Sequence, residues 1–380
     1  MNIHILGIPH SITNEKFLCC PFTQGVYNFL KMMEGESSID SILHYGHANS
    51  DLPDYVDNVV VSDDDDLMDS YGYYSGSEDI TKIFSYGIND KAHINFNRRA
   101  IPKINKNVEE GDLVLFSMGL GHQLIYKSLQ PKEEKVGCIE YMLGYYHSLV
   151  EHFRIYQSHS HRIAVDTRNA VTNNHDTYLD PYKFSSRVIS WGPNPDDFEF
   201  NGDKDDYFVF LGRFVEQKGI DLCIQLANVH GFNLKIAGQG SLSDLEYSVE
   251  EFPENIEILG PVDKEERRNL LKNAKGLLAP SIFYESLGWQ VIEAMLSGTP
   301  VITTDFGGFT ETNIPNITGY RCNTFSEFSD AIENIDLIDN QQCYESAYNR
   351  FNYDIVKGKY LSYFDFVKSC LNGSGFYEGI

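Results

Sequence analysis

Pro280-Ser281-Ile282-Phe283-Tyr284-Glu285-Ser286-Leu287-Gly288-Trp289-Gln290-Val291-Ile292-Glu293-Ala294-Met295 sets two glutamates eight residues apart across the start of an apparent helix. Before it, Gly276-Leu277-Leu278-Ala279-Pro280 reads as a short buried strand stopped by a proline. After it, Leu296-Ser297-Gly298-Thr299-Pro300-Val301-Ile302 gives a helix end, a glycine and proline turn, and a new apolar strand. The unit is strand, loop, helix, strand, and parallel α/β sheets bind ligands in such loops, beyond the carboxyl ends of their strands.

Two glutamates at this spacing are also compatible with a plain solvated helix face. Their context supports more. A helix rises about 1.5 Å per residue, so eight positions span roughly 12 Å, the order of the distance from the hexose to the ribose of a nucleotide-sugar. Leu287-Gly288 lies between the carboxylates, and a helix beginning there turns its free N–H groups and positive dipole end toward the gap, where a diphosphate would sit.

At 380 residues the chain is long enough for two or three domains with separate cores. Its 55 acidic against 30 basic residues give a formal charge of −25, which opposes binding to nucleic-acid phosphates and strong association with anionic bilayers. No apolar run approaches the ~20 residues needed to cross a bilayer, and Met1-Asn2-Ile3-His4-Ile5-Leu6-Gly7 has no basic segment leading into a long apolar one. The expectation is a soluble, cytoplasmic protein that starts on its first strand. The seven cysteines are scattered without a Cys-x-x-Cys pair, which fits a reducing compartment. The sequons at Asn316 and Asn372 then have no meaning.

Strand-like runs recur through both halves: Asn2 to Gly7, Asp57 to Val61, Asp112 to Phe116, Val136 to Tyr141 and Arg187 to Ser190, then Tyr207 to Leu211, Asn233 to Ala237, Ile256 to Leu259, Gly276 to Ala279 and Pro300 to Thr303. This alternation predicts an α/β protein with two doubly wound, Rossmann-like parallel-sheet domains facing across a cleft. Gly192 to Asp197, continued by Asn201 to Asp206, breaks the series. The expected divisions are 1–198, 199–350 and a helical tail, 351–380, packing back on the first. Ser62 to Glu78, acidic and rich in Gly, Ser and Tyr, reads as an exposed loop.

Leu211-Gly212-Arg213-Phe214-Val215-Glu216-Gln217-Lys218-Gly219 holds two cations five residues apart, ahead of a helix. An Arg fork and a Lys point charge can clamp a diphosphate, and an isolated pair can equally be a solvated loop. It is not a Walker A loop, because Gln217 stands at the second glycine position. Ala237-Gly238-Gln239-Gly240-Ser241 and Leu259-Gly260-Pro261-Val262-Asp263 end the next two strands with glycines that serve close ligand approach or a simple turn. Four consecutive strand ends thus carry ligand-compatible loops, and their order is the specific signal.

In this order the second half resembles the donor-binding domain of the retaining glycosyltransferases of family 4, which have the two-domain GT-B fold. Gly-Arg-x(4)-Lys-Gly, Gly-x-Gly and Glu-x(7)-Glu occur at Gly212 to Gly219, Gly238 to Gly240 and Glu285 to Glu293. The resemblance is strong from about Val188 to Thr312 and weaker before it. It implies Arg213 and Lys218 on the diphosphate, Glu285 on the donor sugar and Glu293 on the ribose hydroxyls. Leu287 and Gly288 would supply backbone N–H groups to the phosphate, Ser286 would belong to the same donor-binding set, and Gly260, Pro261 and Val262 would frame the base. In the first half, His147 of Gly144-Tyr145-Tyr146-His147-Ser148 resembles the family's histidine near the donor sugar, so the implied catalytic set is Glu285, Arg213, Lys218 and His147. His122 of Gly119-Leu120-Gly121-His122 is a second candidate, and a structural role is the alternative for both. Thr23-Gln24-Gly25 is the nearest counterpart of the family's Gly-Gly loop.

The resemblance implies a retaining glycosyltransferase moving a hexose from a nucleoside-diphosphate sugar to a hydroxyl of a glycan or glycoprotein. UDP-glucose is the first donor and GDP-mannose the second, on family frequency. No cofactor is obligatory, no metal ligands are assigned, and assistance by Mg²⁺ or Mn²⁺ is open. The alternatives are another GT-B enzyme, such as a nucleotide-sugar epimerase or a phosphorylase, or a non-catalytic nucleotide-sugar-binding module. A nicotinamide dehydrogenase is disfavoured because Gly7-Ile8-Pro9-His10-Ser11 lacks G-x-G-x-x-G. Asp63 to Asp66 contains the Asp-x-Asp spacing of metal-dependent transferases, but such acidic runs are usually solvated. His159 and His161 would alternate on a strand face as zinc ligands do, without Cys or carboxylate partners at metal spacing. Tyr71, Tyr73, Tyr74, Tyr145 and Tyr146 are candidates for stacking on an acceptor sugar or for packing.

Overall fold

Leu113-Val114-Leu115-Phe116, Phe208-Val209-Phe210-Leu211 and Gly276-Leu277-Leu278-Ala279 are buried at every position, as strands covered by helices on both faces must be. They form the centres of two parallel sheets in the computed structural model, which describes residues 1–17, 20–73, 85–132, 134–150, 152–173, 185–240 and 253–371. The first sheet joins β1 (Asn2–Leu6), β2 (Ser41–His47), β3 (Val56–Ser62), β4 (Leu113–Phe116), β5 (Gly137–Leu143), β6 (Phe153–Tyr156) and β7 (Arg187–Val188) in the order β3-β2-β1-β4-β5-β6-β7. The second joins β8 (Phe208–Leu211), β9 (Leu234–Ala237), β10 (Ile256–Gly260), β11 (Gly276–Ala279), β12 (Val301–Thr304) and β13 (Gly319–Cys322) in the order β10-β9-β8-β11-β12-β13. The architecture is α/β with two Rossmann-like domains.

In the second sheet the strand order reverses between β8 and β11, which opens a crevice at their carboxyl ends. The chain leaves β8 into Gly212-Arg213 and the helix α6 (Ile220–His230), and leaves β11 into residues 280–288 and the helix α8 (Trp289–Leu296). Both loops therefore enter the same crevice. The helix α7 (Lys264–Asn273) flanks it, started by an Asp263 capping box.

The helix α12 (Tyr353–Leu371) returns to the first sheet. Its Val356, Tyr360, Tyr363, Phe364 and Val367 belong to the same buried cluster as Phe29, Ile139 and Trp191. Tyr360 and Phe364 meet the Phe29 ring edge-on at 5.5 and 6.4 Å. Residues 372–380, including the Asn372 sequon, lie outside the described part.

Several expectations change. The acidic stretch after β3 is not a loop at first: Asp63 caps the helix α2 (Asp64–Tyr71), and three aspartates in its first turn complement the helix dipole. Residues 74–78 of that stretch, with Tyr74, are outside the described residues. Strands β2, β6 and β13 escaped the sequence reading. In β2 the reason is its buried polar side chains: His44 is fully enclosed and bonded through its two ring nitrogens to Thr13 and Asn58, each at 3.0 Å, so the run does not look apolar. Among the described residues no helix is long and apolar enough to cross a membrane. All described cysteines are free thiols, and Cys19 lies outside the described residues.

Candidate active site

The crevice faces the first domain across a cavity of about 470 Å³. Gly238 begins its floor. A Cβ there would stand 1.7 Å from the Gly212 carbonyl oxygen, at a φ of +150°, so the two strand-end loops touch only because this residue is glycine. Phe214, 2% exposed, anchors the next loop into the core, and its N–H donates to Gln239 O at 2.7 Å. Arg213, between them, projects into the cavity and forms no ion pair among the described residues.

Lys218 donates to the Glu285 carboxylate and lies 5.3 Å from the centroid of the Phe283 ring. Ser281 Oγ donates to the same carboxylate oxygen at 2.9 Å, and the Glu285 backbone oxygen accepts from Gly308 N at 2.7 Å. Glu285 is 8% exposed. The spacing argument needs correcting here: Glu285 is in the loop, and only from Trp289 onward does the chain rise as a helix. Gly288 makes the bend at φ +85°, ψ +73°, where a Cβ would meet the Phe309 ring at 2.3 Å. Val291 N donates to Gly288 O at 3.1 Å, whereas the N–H groups of Trp289 and Gln290, ahead of it in the first turn of α8, have no intrahelical acceptor, and Gly288, Trp289 and Gln290 line the cavity.

Glu293 lies one turn into α8 at 6% exposure. It accepts from Arg267 Nε at 2.7 Å and from the other arm of the same guanidinium. Arg267 lines the cavity and Glu293 does not. Each glutamate of the opening motif is thus matched by a cation, whereas Arg213 is left without an ion-pair partner among the described residues. Pro261, Val262 and Ser286 also line the cavity; Gly240, Gly260 and the buried Leu287 are not on its wall. Ser241 is outside the described residues.

The first domain contributes different residues from those the sequence suggested. His147 is exposed and does not line the cavity. His122 is fully buried, donates from Nε2 to Gly7 O at 3.0 Å, and is pushed down to about 3 by burial, then by His93, so it is a neutral structural ring. Thr23-Gln24-Gly25 is inside the helix α1 (Pro21–Met32), with Gln24 Nε2 bound to Asn14 O and Phe17 O. His159 and His161 are in the first turn of the helix α5 (His159–Asn173), not on a strand. Asp63 and Asp66 pair with Arg99, and no metal-binding cluster occurs among the described residues. Tyr73, Tyr145 and Tyr146 use their hydroxyls on His10 O, Glu140 and Tyr284 O, and Tyr71 stacks on Tyr73.

In their place stand His10, Cys20, Phe22, Tyr86, Gly144 and Gln157. His10 stacks on Tyr86 at 3.9 Å and shares a hydrogen bond with His93 at 3.2 Å. Burial, then His93 and His122, hold it well below the usual imidazole range, so it is neutral. Its place in the loop after β1 was the available signal, since that loop opens on a carboxyl edge.

The two domains are tied around the cavity. Ser158 Oγ donates to Ser286 O at 2.6 Å. Glu311, on the short helix α9 (Phe309–Thr312), accepts the N–H groups of His159 and Ser160 at 2.9 and 2.7 Å. It thereby caps α5 from the opposite domain.

Residues 195–352 match the family of glycosyl transferases group 1. An uncharacterised glycosyltransferase of Methanocaldococcus jannaschii is 33% identical over 148 residues, 33% of this chain and 37% of that protein. A phosphatidyl-myo-inositol mannosyltransferase of Mycobacterium leprae is 32% identical over 107 residues, 27% of this chain and 29% of that one. The matches thus span less than half of these relatives' length. Among solved structures, a glycosyltransferase involved in avilamycin A biosynthesis is similar with a TM-score of 0.67 and 17% identity, over 98% of both chains. An Anabaena protein solved with UDP and glucose has a TM-score of 0.61 and 12% identity, over 95% of this chain and 98% of that one. These likenesses extend through both domains, and the fold is GT-B.

Proposed function

From the match of residues 195–352 to the group 1 glycosyl transferases and the second Rossmann-like domain that faces them, we propose that the chain is a retaining glycosyltransferase of the family 4 type. It moves a hexose from a nucleoside-diphosphate sugar to a hydroxyl of a glycan or glycoprotein. The observation that carries this reading is Arg213, which forms no ion pair among the described residues and lines the same cavity as Lys218 and the start of α8. Two cations and a helix N-terminus converge on one enclosed space, which suits a diphosphate.

In this reading Arg213, Lys218 and the N–H groups around Gly288 take the diphosphate, Glu285 the sugar, Glu293 the ribose, and Pro261 and Val262 the base. Breaking the anomeric bond leaves its electron pair on the departing diphosphate, and preorganised positive charge stabilises that change. Lys218 then divides itself between Glu285 and the phosphate. UDP-glucose is the first donor and GDP-mannose the second; relatives and structural neighbours include a mannosyltransferase and a protein solved with UDP and glucose. The charge of −25 favours a soluble acceptor, and the free thiols a cytoplasmic setting.

The test is a panel of UDP- and GDP-sugars, with and without Mg²⁺ or Mn²⁺, read by thermal shift and by nucleotide release. Stabilisation by one nucleotide with slow hydrolysis of its sugar conjugate is expected. No response to any nucleotide would sink the reading.

A further inference from the structure

Gln157 follows β6 at the carboxyl edge of the first sheet and lines the cavity, yet it is only 3% exposed. Its Oε1 is enclosed and has no hydrogen-bond partner among the described residues. Buried side-chain amides are rarely left so, and each exception calls for a reason. The backbone cannot swing the residue away. Ser190 Oγ donates to Gln157 O at 2.6 Å, and Ile189 N donates to Tyr156 O at 3.0 Å.

The neighbours say which end of the cavity the amide serves. Ser158, the next residue, donates to Ser286 O at 2.6 Å, and Ser286 follows Glu285. Gly144, also on the wall, would place a Cβ 3.6 Å from Ser286 Oγ. Gln157 thus lies on the cavity wall beside the residue that ties the first domain to the Glu285 loop. It brings no charge there, and an uncharged polar group can meet it without leaving a charge uncompensated. A hydroxyl both donates and accepts, and satisfies the amide whichever way it is turned.

Resting on the glycosyltransferase reading, we propose that Gln157 is a specificity-determining residue that binds a hydroxyl of the transferred sugar, opposite Glu285. The carbohydrate is held from both domains, and the first domain checks it through one amide.

The experiment compares wild type, Gln157→Leu and Gln157→Glu in three measurements: UDP and GDP affinity, hydrolysis of the donor sugar without acceptor, and melting temperature. The leucine variant is expected to keep nucleotide affinity within about twofold and to melt no lower. It should lose about 10- to 100-fold in kcat/KM for the sugar conjugate, as for one unmet polar partner. A donor deoxygenated at the recognised position should be equally poor for wild type and the leucine variant. Unchanged donor hydrolysis, with only transfer to an acceptor reduced, would assign the hydroxyl to the acceptor and overturn the proposal. An equal loss of nucleotide and sugar-nucleotide affinity would overturn it as well. If Gln157→Leu melts far lower, Gln157→Glu keeps the volume and decides by the same ratios. A wild-type protein that binds no nucleotide refutes the proposed function instead, before either variant is compared.

Discussion

Arg213→Ala separates binding from folding. The side chain is exposed and forms no ion pair among the described residues, so its removal should change the stability of the free protein by no more than about 0.5 kcal/mol. A charge-assisted bond to a diphosphate contributes about 1.5–3 kcal/mol, so nucleotide affinity should fall roughly 30-fold. At a nucleotide concentration of about 100 times the wild-type Kd, bound ligand stabilises the wild type by about 2.7 kcal/mol and the variant by about 0.9 kcal/mol. For domains of this size that corresponds to a ligand-induced rise in Tm of about 5–10 °C reduced to about 2–4 °C. Differential scanning fluorimetry with and without UDP or GDP reads both numbers. Two results would refute the reasoning: a large drop in the Tm of the free variant, or an undiminished nucleotide shift.

Glu285→Gln should reduce turnover of the donor far more than nucleotide affinity, measured by coupled nucleotide release and calorimetry; equal, small effects would misplace the sugar end of the site. Arg267→Leu strands the Glu293 carboxylate, 8% exposed at its side chain, and should cost about 1–3 kcal/mol of stability, largely recovered in Arg267→Leu/Glu293→Gln. Glu140 is fully enclosed, accepts from Tyr145 OH, Leu149 N and Val150 N, and is raised by burial from 4.5 to about 7. The unfolded chain gives up this proton first, so stability should fall as pH rises from about 4.5 to about 7 and then level off. Glu140→Gln should flatten that slope in pH-dependent melting, and an unchanged slope would place the titration elsewhere.

The second domain was the more legible one because its central strands β8 and β11 are continuous apolar runs and its loops carry glycines that geometry demands, Gly238 and Gly288 above all. The ion pairs were not legible. Nothing in the spacing of Glu293 shows that Arg267, on another helix, reaches it. The first domain hid for a different reason. Its strand β2 buries histidines on hydrogen bonds, and its cavity wall is built from single residues such as His10 and Gln157 at separate strand ends, with no repeated interval to read. His147 stands after β5, where strand-end logic points, but that loop turns its side chain to solvent.

The helix α12 has a consequence for the order in which the molecule can be made. Tyr360 and Phe364 complete the core around Phe29, although more than three hundred residues separate them along the chain. On the ribosome, the first domain therefore emerges with an open apolar seam, and it waits through synthesis of the whole second domain before the missing helix arrives. A fragment ending at the linker would carry the strands of the first sheet without the helix that covers one side of it. The two lobes are separate in architecture but interdependent in assembly.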